Sequence, residues 1–259
     1  MSTIISSVTR QGTFEPFELQ VARGQIQGHQ AVTIFGYNPD VDTAVETIWP
    51  NGGVVAHPAV ATVMKVSSSS ANDAAAGTGA RSIYIEGLDA NYNTVTETVT
   101  LNGQTEVNTV NSYLRINNFY TASVGSGGSN VGYIYIGGGT VTAGVPATIY
   151  DLMDIGFNSR TTGHYTVPAG YTAYFYQGRL TVAQASGANV VTGQLVSTAT
   201  DGIDRVSAVT TIDSGVSEYD FNIPIPFPEK TDIEARVFGT ANNNSTSCML
   251  VFVLIKNGP

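Results

Sequence analysis

The chain is short of cysteine, of charge and of long apolar runs, and each shortage removes a class of protein. Of 259 residues only one is cysteine, Cys248. A disulfide framework and a cysteine-based zinc site both need more thiols than that, so both are excluded. Cys248 lies in the apolar run Cys248-Met249-Leu250-Val251-Phe252-Val253-Leu254-Ile255 and reads as a small core hydrophobe. Charged residues make up 12%, with 11 Lys and Arg against 20 Asp and Glu, a net charge of −9. The basic residues form no cluster. The stripe that releases counterions from phosphates is missing, so no nucleic-acid partner is expected. No stretch reaches the roughly 18 apolar residues of a membrane-spanning helix. The opening MSTIISSVTRQGTFEPF has no charged region leading into an apolar core. The expectation is a protein made in the cytoplasm without an export signal and with no membrane partner.

What is present points to β structure. Thr, Ser, Val and Gly are plentiful, with 28 Gly, and the 42% hydrophobic content speaks against disorder. Short alternating runs recur, separated by turn residues. Val95, Val99 and Leu101 face one way, with Glu97 the exception, and Thr96, Thr98 and Thr100 face the other. That is the period of a half-buried strand. Before it stands Asp89-x-Asn91-x-Asn93, which resembles the start of a calcium loop. The sixth residue from Asp89 is Thr94 and the twelfth is Thr100, where such a loop needs Gly and Glu. The stretch therefore reads as a hairpin turn.

Further along, residues 144–162 suggest a helical turn or a linker. Tyr165–Gly170 reads as a strand entering a type I turn with Pro168 second and Gly170 fourth. Phe221, Ile223, Ile225 and Phe227 alternate, and Pro224, Pro226 and Pro228 remove amide donors from one face, which places that strand at a sheet edge. The run at 249–255 is apolar on both faces and suits a central strand. The fold expected is all-β: two β-sandwich or jelly-roll-like units, residues 29–159 and 160–259. They follow a segment, 1–28, that is either an extended arm gaining order against something else or a frayed terminus.

Chemistry is harder to find. The glycine loop 125–132, Gly-Ser-Gly-Gly-Ser-Asn-Val-Gly, is not followed by a helix and lacks the Gly-Lys-Ser/Thr of a Walker loop, so it reads as a turn. The histidines His29, His57 and His164 stand in no metal-binding spacing, and no G-x-S-x-G elbow occurs. Tyrosines such as Tyr133 and Tyr135 read as strand residues in preference to a sugar platform. No catalytic, metal-binding or cofactor-binding residue is singled out, and the chain is not read as an enzyme.

Several runs, however, carry a resemblance. "FGYNPDVDTAVETIWPNGG", "VSSSSANDAAAGTGARSIYIEGLDANYNTVTETVTLNG", "NSYLRINNFY", "YTVPAGYTAYF" and "FPEKTDI" closely resemble a family of tailed-bacteriophage virion proteins found among marine and cyanobacterial phages. It spans roughly residues 32–240 and is densest over 67–121. The resemblance implies a part of the virus particle. Joined with the composition, it leads to a capsid cement, or decoration, protein on the outer shell. Its implied partners are the major capsid protein and other copies of itself in a homotrimer, since junctions between capsomers have local three-fold symmetry. The apolar anchors Ile4, Ile5, Phe14, Phe17 and Leu19 are the candidates for shell contact. The alternative is a head-fibre, tail or baseplate component that binds host-surface glycans.

Overall fold

The computed structural model describes residues 15–183 and 189–258, and almost every ordered element in them is a strand. In chain order these are α1 (Phe17–Ala22), β1 (His29–Val41), β2 (Glu46–Thr47), β3 (Thr62–Ser68), β4 (Ala80–Leu88), β5 (Thr94–Thr100), β6 (Val107–Tyr113), β7 (Arg115–Val124), β8 (Ile134–Thr142), β9 (Val145–Met153), β10 (His164–Thr166), β11 (Tyr171–Ala183), β12 (Val191–Thr198), β13 (Asp204–Ile212), β14 (Gly215–Phe227), β15 (Asp232–Gly239) and β16 (Asn244–Lys256). They pair antiparallel into four sheets. Their orders are β1-β16-β11-β14, β10-β15-β12-β13 with β2 on β15, β6-β3-β8-β9, and β5-β4-β7. The all-β expectation holds.

Two hydrophobic clusters organise these sheets. One takes Ile34, Phe175, Leu195, Ile233 and Phe252 from the first two sheets. The other takes Met64, Ile83, Phe119, Ile134 and Met153 from the last two. A small cluster around Trp49, Val55, Tyr135 and Leu152 bridges them. Strand pairing crosses residue 160. β1 runs antiparallel to β16 from His29↔Ile255 onward, and β2 pairs with β15. The first and last strands among the described residues thus share one sheet, and β3–β9 lie between them in sequence. Antiparallel pairing of segments far apart in sequence carries no local signature, so the alternation in residues 30–35 could not reveal its partner.

Local chemistry explains the elements. Thr94–Thr100 pairs with β4 in register, and its burial alternates as its sequence does. The exception, Glu97, faces inward because its carboxylate accepts bonds from the Val110 and Asn111 amides, at 2.9 and 3.0 Å, and from the Tyr113 hydroxyl at 2.8 Å. The Asp89 turn is as read: Asp89 Oδ1 accepts from the amides of Asn91 and Asn93 at 2.8 and 2.9 Å. In β11, Ala173 and Phe175 are buried, and so are Leu180 and Val182, although the two pairs have opposite parity. A register shift between Phe175 and Gln177 reconciles them, since one extra residue returns the same face to the core. β16 occupies an interior position and β14 an edge, as their sequences indicate.

Three readings need correction. Residues 145–153 are a strand, β9, pairing with β8; the residues from Ile149 to Met153 are partly or fully buried there, and packing overrides the turn-like Pro146. At the Pro168 turn the Tyr171 amide donates to the Pro168 carbonyl at 3.3 Å, and Gly170 has φ of 78°. Gly170 therefore stands third in the turn, where positive φ is required, as in type II. Finally, the described part of the 1–28 segment is not extended throughout: Phe17–Ala22 is one short helix that buries Val21.

Candidate functional site

The structure brings together residues that the sequence keeps apart. His57, His164 and Asp232 place ligand-type atoms within 4.8 Å of one another. The two imidazoles lie with ring centroids 4.4 Å apart. Sequence spacing gave no hint of this, because a loop, β10 and the start of β15 contribute one residue each.

The surroundings show what the cluster does. Arg115, on β7 in the second core, grips Asp232 in the first with Nε and Nη2 each 2.9 Å from a carboxylate oxygen. Thr166 Oγ1 donates to Asp232 Oδ1 at 2.5 Å. Arg160 donates Nε to Asp151 Oδ2 at 2.5 Å, Nη1 to the His164 carbonyl at 2.6 Å and Nη2 toward His164 Nδ1 at 3.5 Å. Asn117 on β7 exchanges two bonds with the Thr166 backbone, at 2.8 and 3.0 Å. The result is a buried polar knot tying the two cores together.

A metal ion does not fit this knot. Both oxygens of Asp232 already accept from one guanidinium. Arg160 Nη2 approaches His164 Nδ1 from one side, and His164 Nε2 faces Asp232 at 3.5 Å on the other. A cation would meet two guanidinium groups at close range. Burial, and then His164 and Arg115, push His57 well below its ordinary pKa. For Asp232, burial alone would raise the carboxyl, but hydrogen bonds from His164 and Arg115 hold it well below the usual carboxylate range. The knot is thus an imidazole pair set among two arginine–carboxylate pairs, Arg115–Asp232 and Arg160–Asp151.

A second carboxylate works in the same manner. Asp73 is fully buried and no lysine or arginine pairs with it among the described residues. Its Oδ1 accepts from the amides of Ala80 and Val131 at 2.7 and 2.9 Å. Its Oδ2 accepts from Ser68 Oγ and the Gly132 amide at 2.7 and 2.8 Å. The glycine loop 125–132 does present amides to an anion, and the anion is the protein's own. Cys248 sits in the first core, and burial pushes its thiol up to about 12.

The apolar surfaces are different, because no other described residue covers them. β13 and β14 are the edges of the two sheets that enclose the first core. A tight turn at Asp213-Ser214 joins them, and they then diverge, held by Thr210 Oγ1 to Ser217 Oγ at 3.1 Å and by Tyr219 to the Val209 carbonyl at 3.4 Å. Between them opens an apolar cleft of about 60 Å³ floored by Phe175, Leu180, Leu195 and Leu250 and walled by Ala208 and Phe221. On its rim Val209 is 53% exposed, and beyond it Val216 is 50% and Ile223 86% exposed. The alternation expected through Phe221 and Ile223 fails here: four residues of β14, 221–224, stand opposite the single Tyr176. The bulge throws Ile223 outward. Of the proposed shell-contact residues, Phe17 and Leu19 are 39% and 47% exposed on α1, with Phe17 edge-on to His29 at 5.8 Å. Ile4, Ile5 and Phe14 lie outside the described residues.

The fold and these surfaces define an all-β protein with saturated polar clusters and an open apolar seam. No protein-family model matches the chain, and no curated protein does. Among solved structures, it aligns with the infectious bursal disease virus VP2 subviral particle at 11% identity, over 89% of this chain and 72% of that one, with a TM-score of 0.25. The Gx strain structure of the same virus aligns at 12% identity, over 89% and 73%, with a TM-score of 0.26. Scores of this size do not establish a shared fold.

Proposed function

We propose that the protein is a virion structural component, and specifically a cement protein that binds the outer capsid shell at capsomer junctions as a homotrimer. The observation that carries this reading is the contrast between its polar and apolar groups. Asp73, Glu97, Asp151 and Asp232 spend their charge on their own backbone and arginines, whereas β13, β14 and α1 present large aliphatic and aromatic side chains to solvent. Exposed apolar groups gathered on sheet edges mark contact surfaces. The resemblance of residues 32–240 to phage virion proteins supports the same reading. A clamp that binds only the expanded shell would stabilise it by linkage.

The test is made on purified particles. The protein is expected at a copy number matching the capsomer junctions, and Phe17→Asp with Leu19→Asp is expected to reduce its retention on shells. A copy number matching a tail or fibre, with retention unchanged by those substitutions, would refute the reading. One observation favours the glycan-binding alternative: Tyr84 and Tyr120 form a cross-strand ring pair 5.1 Å apart, with Tyr120 exposed. Binding to a host-glycan array that is lost in Tyr120→Ala would select it.

A further inference from the structure

We propose that the seam between β13 and β14 is a strand-docking site, and that its occupant is the N-terminal segment, residues 1–14, of a second copy of this chain. The inference deepens the assembly reading by naming how copies join.

The acceptor is defined by three features. Among the described residues β13 pairs only with β12 and β14 only with β11, so both present open backbone edges. The cleft between them reaches the core side chains Phe175 and Leu250 and is almost wholly apolar, so water in it finds few partners. Gly193 lines the cleft without a side chain; a Cβ there would stand 2.5 Å from Leu180 Cδ2. An open strand edge is satisfied by another strand, with alternate side chains entering the pocket.

The donor is defined by composition and position. Thr3-Ile4-Ile5-Ser6-Ser7-Val8-Thr9 is rich in β-branched residues and contains no proline or acidic residue. Arg10 is its only charged side chain, and the acceptor hairpin carries four acids, Asp204, Asp213, Glu218 and Asp220, against one base, Arg205, with Glu218 paired to Arg179. The segment joins the fold at Glu15, ahead of α1, which packs on β1. β1 and β14 are opposite edges of one sheet. Donor and acceptor on opposite edges make a head-to-tail contact, and a rotation that closes such contacts gives a ring, including a trimer. Fourteen residues extend at most about 46–50 Å, ample to cross to a neighbour.

The experiment is disulfide trapping in the full chain. Ile4→Cys and Val209→Cys chains, distinguished by a size tag, are co-expressed, purified without particles and run without reductant. Cys248 is buried and stays out of the reaction. The expected result is a cross-linked species containing one chain of each kind. The same species is expected with Val216→Cys as acceptor and not with Val60→Cys, an exposed control in the other unit. A chain carrying both Ile4→Cys and Val209→Cys that closes only on itself would overturn the proposal, because the occupant would then be its own segment. No cross-link, or an equal yield with Val60→Cys, would also overturn it. Since no shell is present, failure here leaves shell retention as a separate result.

Discussion

Replacing Asp73 with asparagine preserves shape and removes charge, and its cost follows from four hydrogen bonds. With the amide oxygen placed at Oδ1, the bonds from Ala80 and Val131 survive. The amide nitrogen then faces Ser68, whose hydroxyl can turn to accept, and the Gly132 amide, which cannot. One buried N–H is left unmet, costing about 1–3 kcal/mol, and the surviving bonds fall from charge-assisted to neutral strength, about 1 kcal/mol less each. Burying a neutral amide in place of a carboxylate returns part of this. The opposite amide orientation strands two amides and is worse. The net destabilisation is about 2–3 kcal/mol, equivalent to a fall in Tm of roughly 4–12 °C for a chain of this size. Differential scanning calorimetry reads the shift. Hydrogen exchange reads the location: the Gly132 amide should lose protection first, followed by its loop neighbours 125–131. A variant that melts within about a degree of the parent, with Gly132 still protected, would mean that the carboxylate does not hold this loop.

Other outcomes test the remaining features. Arg115→Met leaves Asp232 without its cation and should cost about 2–4 kcal/mol, and it should split a single calorimetric transition into two as the cores uncouple. Folded His57 resists protonation while the unfolded chain takes up a proton near its ordinary pKa of about 6.5. Stability is therefore full above that pH and falls below it, by at most about 1.4 kcal/mol per pH unit. Asp232, held low, keeps its contribution until pH drops beneath the ordinary carboxylate range. A His57→Phe chain should consequently lose its share of the decline in Tm between about pH 6.5 and 5; an unchanged profile would contradict a His57 that stays neutral in the fold. Glu97→Gln should cost about 1–2 kcal/mol, visible in urea titration, because two amides of β6 lose a charged acceptor. Cys248 should react with a thiol reagent only as the chain unfolds, and rapid labelling of the native protein would place it outside the core.

The sequence by itself determined the all-β class and those elements that its period and turn residues mark. Alternation in 94–100, the proline-marked edge at 224–228, the apolar run at 249–255 and the Asp89 turn are local patterns, set by side-chain period and backbone preference within a few residues. The place of Cys248 in the core was legible for the same reason. The tertiary structure alone decided what those elements meet. No pattern within residues 29–41 says that they lie beside 244–256, and no spacing links His57, His164 and Asp232. Glu97 was an exception to its strand's period until the amides of the next strand were seen to meet it, and Asp73 finds two of its amide donors some sixty residues away. The open seam arises because two edge strands diverge and one bulges, a consequence of register between sheets. Period and propensity act over neighbouring residues, whereas pairing, charge burial and exposure depend on which distant segments share a volume.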